Sequence, residues 1–207
     1  MSIDRFDPSL CVLVVIDVQN DFCHVEGVAV KNGKSVEQVN NMVPTLENLI
    51  ARARDVGVPL IFVRTTHGDD TSTDSWRYRT GKLEKSSNCQ EGSWGAEFFK
   101  VSPIEGEYVA TKHRYSAFRS PEFKSALKEL NRPSLLFTGV ATNICVETTL
   151  RDAMCADYYA SLVEDCCAAY TISGHNSAVE NVRNFFGVVT NSEALSSHWK
   201  ELAIKAG

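Results

Sequence analysis

The segment CVLVVIDV, residues 11–18, constrains this chain more than any other stretch. Its apolar residues run without the polar alternation of a strand that keeps one face in water, and the run is too short for a buried helix. A strand of this kind must be covered on both faces. The pattern returns in PLIFVRT (59–65), YVATK (108–112), SLLFTGV (134–140), YASLVED (159–165) and GVVTN (187–191). Helical signals lie between these runs. Residues 44–56 carry Leu46, Leu49, Ile50 and Ala53 at helical spacing, with Gly57 as a stop, and Ser120-Pro121 opens a helix through Leu130. Further helices are predicted from about Asn143, near Ser177–Phe186 and from Ser192. The alternation predicts an α/β, three-layer, Rossmann-like fold with a mostly parallel sheet of about six strands flanked by helices. The 207 residues suit a single domain, 1–207. One region, about 66–107, is irregular and rich in Gly, Ser, Thr and charge. A loop insert that long is usually a lid or binding loop. It holds Trp76, Tyr78, Trp94 and Phe98, aromatic residues suited to covering a pocket or packing against a neighbour.

Several function classes are disfavoured by composition. A net charge of −5 and a pI near 5.6 lack the basic footprint that nucleic acid or an anionic membrane requires. No stretch approaches the ~20 apolar residues of a membrane span. The opening MSIDRFDPSL has no basic flank ahead of an apolar core, so the expectation is a cytoplasmic protein. Seven cysteines, an odd number with no CxxC pair, argue for reduced thiols over disulfides or structural zinc.

Ligands of open α/β sheets bind beyond the carboxyl ends of the strands. Three chemically complementary groups fall there. Asp17 ends the first apolar run, Lys112 closes YVATK, and Cys145 lies just past SLLFTGV at a helix start. Any one of them alone reads blandly, as a turn carboxylate, a surface cation and a core thiol. Together they form a nucleophilic set for acyl transfer. Asp17 is the base and Cys145 the nucleophile, with Lys112 and the helix dipole favouring the thiolate. Unpaired backbone N–H groups at the helix start are suited to holding an oxyanion. Strand alternation turns His113 away from any site that Lys112 faces. Cys166 and Cys167 read as core or near-surface thiols.

The motifs VVIDVQNDF (14–22), KHRYSAF (112–118) and GVATNICVETTLRDA (139–153), with Glu164-Asp165 and NFFG (184–187), resemble the isochorismatase-like cysteine hydrolases from about Leu10 to Leu195. The resemblance implies Asp17, Lys112 and Cys145 as the catalytic triad, the Ala141 and Cys145 amides as an oxyanion hole, and a cis peptide at Val140–Ala141. It also implies a homodimer or homotetramer. Members acting on isochorismate do not retain a cysteine at the position of Cys145, which favours amide cleavage here. The segments are most similar to members that cleave ureidoacrylate, biuret or N-carbamoylsarcosine, so the expected partner is a small-molecule amide or ureide. Arg114 and Tyr115 suit a substrate carboxylate or carbonyl, and Phe22 and Trp94 complete the expected substrate contacts. Nicotinamidase-like members carry an Asp-x-His metal motif. Here that region reads TTHGDD (65–70), and His67 with Asp69 and Asp70 reads as a polar loop, so neither metal nor cofactor is expected. Two rivals stay open: a nicotinamidase-like amidase, and a non-catalytic thiol-sensing or binding protein on the same fold.

Overall fold

A computed structural model describes residues 3–80 and 88–206 of the chain. Its frame is one sheet of six parallel strands: β1 (Cys11–Ile16), β2 (Leu60–Thr65), β3 (Tyr108–Lys112), β4 (Ser134–Val140), β5 (Tyr159–Ala168) and β6 (Val188–Thr190). The order across the sheet is β3-β2-β1-β4-β5-β6. The chain winds outward in one direction to β3 and in the other to β6, so the order reverses at β1 and β4. A crevice opens at such a reversal, beyond the carboxyl ends.

The helices are two single turns, α1 (Asn20–Cys23) and α2 (Val28–Lys31), followed by α3 (Glu37–Asp55), α4 (Asp74–Thr80), α5 (Pro121–Leu130), α6 (Glu147–Cys155), α7 (Ile172–Asn181) and α8 (Ser192–Ala206). All six residues of β1 are buried, and they divide by parity. Cys11, Leu13 and Val15 join Leu46 and Leu49 of α3 and Trp199 of α8 on one face. Val12, Val14 and Ile16 join Phe123 of α5 and Leu150 of α6 on the other. This is the two-faced burial that the unbroken apolar run demands.

Several boundaries differ from the sequence reading. Helix α3 starts at Glu37 and carries Pro44 inside it, although proline normally opens or breaks a helix. Val39, Met42 and Val43 are buried on that added stretch. At about 1.5–3 kcal/mol per buried side chain, their burial exceeds the roughly 3 kcal/mol that an internal proline costs. Strand β5 runs on to Ala168, beyond the expected Asp165, past a register shift against β4 between Phe137 and Gly139. Cys166 and Cys167 point to opposite faces of this extension, both buried and both free thiols. No helix among the described residues is long and apolar enough to cross a membrane.

The 66–107 insert is not a bare loop. Residues 81–87 of it lie outside the described residues, and the remainder is stitched to the sheet. His67 N–H donates to Cys89 O at 2.9 Å, Glu91 N–H to His67 O at 3.0 Å, and Phe99 N–H to Val18 O at 2.8 Å. The buried Asp21 carboxylate accepts from Cys89 N–H at 2.6 Å and Val28 N–H at 3.2 Å. It sits so tightly against Gly95 that a β-carbon there would meet Asp21 Oδ2 at 2.1 Å.

Candidate active site

The four neighbouring strands β3, β2, β1 and β4 each deliver one polar side chain at or just beyond their carboxyl ends. Lys112 and Thr65 are the last residues of β3 and β2 and stand opposite each other in register. Asp17 follows β1 with φ 52°, and Cys145 follows β4 by five residues. The approach of β4 to β1 depends on Gly139, where φ is +106° and a β-carbon would lie 2.0 Å from Ile16 O. Only a residue without a side chain fits that contact. The Val140–Ala141 peptide is cis, as the resemblance implies. The chain then enters a π-helical turn, Thr142–Val146, that carries Cys145 into α6.

Lys112 Nζ donates to Asp17 Oδ2 at 2.7 Å and to Thr65 Oγ1 at 2.6 Å, and Thr65 Oγ1 donates to Asp17 Oδ1 at 3.0 Å. The Lys112 and Asp17 side chains are 1% and 2% exposed, so the pair is dry. Burial opposes the Lys112 charge, but Asp17 and Cys145 outweigh it and raise its pKa. Cys145, buried beside them, interacts with both side chains. Its pKa is raised, first by burial and then by Asp17, with Lys112 pulling the other way. The lowering expected from Lys112 and the helix start is outweighed. Desolvation and the adjacent carboxylate prevail, and the thiol waits protonated for a base.

Gln19 holds this arrangement from behind. Fully buried, it donates through Nε2 to Thr65 O and Ala96 O, both at 2.8 Å, and accepts from Thr65 N–H at 2.8 Å. Neither Gln19 nor Thr65 was singled out from sequence. The available signal was position: Thr65 ends a strand at the same edge as Asp17 and Lys112.

In front lies a cavity of about 200 Å³ whose wall includes Asp17, Phe22, Arg114, Tyr115, Ala141 and Cys145. All six were expected at the site, and Lys112, the remaining member of the expected triad, is not among the residues lining the cavity. Trp94 is a correction. It is 45% exposed, packs edge-on against His24 at 5.0 Å, and is not among the residues lining the cavity. Its carbonyl, accepting from Asn20 Nδ2 at 2.8 Å, anchors the loop. The aromatic residue that the insert does bring to the wall is Trp76 of α4, stacked on His67 and edge-on to Tyr115. The Arg114 guanidinium lies 4.9 Å from the Trp76 ring and donates to Thr71 O at 2.9 Å and Thr73 Oγ1 at 3.0 Å. Tyr78 is exposed, and Phe98 packs on Phe62. Lys34 and Tyr170 also reach the wall, from segments without motif character.

His113 faces away, as alternation requires, with Nδ1 2.8 Å from Thr66 O in a separate polar groove. His67, Asp69 and Asp70 do not gather into a ligand set, since both aspartates are exposed. Among the described residues the one group of three metal-ligating side chains is Asp4, Asp7 and His198, beside α8.

The model of the isochorismatase domain matches residues 11–194. The chain belongs to the isochorismatase family. Ureidoacrylate amidohydrolase RutB of Methylobacterium radiotolerans is 30% identical over 206 residues, covering 92% of this chain and 80% of that one. A cysteine hydrolase from Pseudomonas syringae pv. phaseolicola superposes with a TM-score of 0.84 at 21% identity, covering 94% of each chain. N-carbamoylsarcosine amidase from Thermoplasma acidophilum superposes with a TM-score of 0.72 at 25% identity, covering 88% of this chain and 96% of that one. The sequence-based expectation of an isochorismatase-family hydrolase of carbon–nitrogen bonds agrees with these relatives.

Proposed function

We propose that this isochorismatase-family chain is an amidohydrolase that cleaves the C–N bond of a small ureide or carbamoyl compound, releasing ammonia. The observation that carries this reading is the buried Cys145 thiol set against the Asp17–Lys112 pair at the base of a small cavity. The similarity to a ureidoacrylate amidohydrolase and an N-carbamoylsarcosine amidase supports the substrate class.

Asp17 takes the thiol proton as the sulfur attacks the carbonyl carbon, since the resting thiol is protonated and needs a base. The oxyanion forms beside the Ala141 and Cys145 amides, with the buried Lys112 charge stabilising the negative centre in a dry site. Collapse of the adduct breaks the C–N bond, and Asp17 returns the proton to the departing nitrogen, which leaves as ammonia. Asp17 next accepts a proton from water, whose oxygen attacks the acyl carbon. The C–S bond breaks and the proton returns to sulfur. A ureide yields a carbamic acid, which falls to amine and carbon dioxide. Arg114 and Lys34 make the wall cationic and suit a substrate that carries a carboxylate.

Ammonia release across a panel of ureides, carbamoyl amino acids and nicotinamide tests this. Turnover confined to ureides and carbamoyl compounds is expected. Turnover of nicotinamide alone would replace the reading with a nicotinamidase-like one, and no turnover with peroxide-sensitive thiol chemistry would favour a sensor.

A further inference from the structure

One polar group on the cavity wall has no part in the chemistry above. His67 is 2% exposed, and its Nδ1 has no hydrogen-bond partner. Buried polar nitrogens are nearly always satisfied, so this exception calls for a reason. The ring is not loose. It stacks on Trp76 with centroids 5.7 Å apart and 29° between planes, and its backbone is tied on both sides to the Cys89–Glu91 segment. Nor is it charged at neutral pH, because burial, reinforced by Lys112, His113 and Arg114, brings its pKa down to about 4. A neutral imidazole offers one donor and one acceptor nitrogen, so an acceptor survives in a cationic neighbourhood.

Part of this wall cannot accept a hydrogen bond. Lys34 and Arg114 only donate. The Asp17 oxygens take bonds from Lys112 and Thr65, and the Thr65 hydroxyl is engaged with both partners. A ureide, R–NH–CO–NH₂, differs from the carboxamide of the same shape, R–CH₂–CO–NH₂, by one N–H beside the reacting carbonyl. Inside a closed cavity that N–H needs an acceptor or it loses the bond it had to water.

We propose that His67 is a specificity-determining residue: its ring accepts the ureido N–H of the substrate, so that the site selects ureides over carboxamides of equal shape. The inference rests on the amidohydrolase reading above and names the residue by which the substrate class is read.

The test uses an isosteric pair, N-carbamoylglycine and succinamate, in which NH and CH₂ exchange places. Ammonia release is measured for the wild type, His67→Phe and His67→Asn. His67→Phe keeps a ring on Trp76 without a nitrogen, and His67→Asn restores a short acceptor. The kcat/KM ratio of ureide to carboxamide is expected to fall at least tenfold in His67→Phe and to recover in part in His67→Asn. Comparing ratios cancels the intrinsic reactivity difference of the two carbonyls. Equal losses on both substrates, or no loss on either, would overturn the inference and leave the amidohydrolase reading standing. Failure of the wild type to cleave either compound would overturn the ureide reading, and the inference with it. Should His67→Phe not fold, an unchanged ratio in folded His67→Leu would overturn the inference and a collapsed ratio would support it.

Discussion

Lys112→Met is the substitution whose consequence follows most directly from the geometry. Lys112 Nζ lies 2.7 Å from Asp17 Oδ2, with both side chains essentially out of water. At an effective dielectric near 20, the attraction at this distance is about 6 kcal/mol. It is offset by the desolvation of two ions at several kcal/mol each, so the intact pair contributes little net stability. Methionine fills nearly the same volume but leaves the Asp17 carboxylate buried and uncompensated. Breaking a buried pair this way costs roughly 3–5 kcal/mol. For a chain of this size that lowers Tm by about 6–20 °C. The Asp17→Asn/Lys112→Met double variant removes both charges and keeps an acceptor for Thr65, so it should recover most of the loss. Urea and thermal unfolding of the wild type, both single variants and the double variant close the cycle. A Lys112→Met loss below about 1 kcal/mol, or additive losses in the double variant, would refute the coupled-pair argument, because contacting charges must show an interaction energy. None of the three variants should turn over substrate.

Three further outcomes are expected. Exhaustive EDTA treatment should leave ammonia release unchanged, because the proposed steps use only Asp17, Lys112, Cys145 and backbone amides; loss restored only by zinc, iron or manganese would contradict them. Stability should fall as pH drops from about 6.5 toward 4, since the unfolded chain protonates His67 first while the folded ring resists to about 4. The gap is worth about 3 kcal/mol, fully present above pH 6.5, and urea melts at pH 7.5 and 4.5 should show that portion missing in His67→Phe. Trp76→Ala should raise KM several-fold with a smaller change in kcat, because Trp76 walls the cavity against His67, Tyr115 and Arg114; steady-state kinetics in the ammonia assay decide it.

What could be read from the sequence was whatever has a strong local cause. Unbroken apolar runs can be satisfied only by burial on both faces, so six parallel strands were legible, and strand ends led to Asp17, Lys112 and Cys145. The parity rule placed His113 correctly for the same reason. The misses are long-range. Nothing local reveals that Pro44 sits inside α3, because the compensation comes from Val39, Met42 and Val43 packing on the sheet. Trp94 and Trp76 share one loop and one residue type, and only the fastening of that loop through Asp21, Gln19 and Asn20 decides which reaches the cavity. The upward direction of the Cys145 pKa shift was missed because local reasoning weighed the cation and the helix start without the burial of all three groups together.

Rapid acid quench of a single turnover, followed by mass spectrometry of the peptides, tests the central claim most directly. A substrate-derived acyl adduct should appear on the peptide containing Cys145 and decay as product forms. Cys145→Ala should show neither adduct nor ammonia release while keeping the wild-type fold. An adduct on another cysteine, or near wild-type ammonia release from Cys145→Ala, would contradict the account.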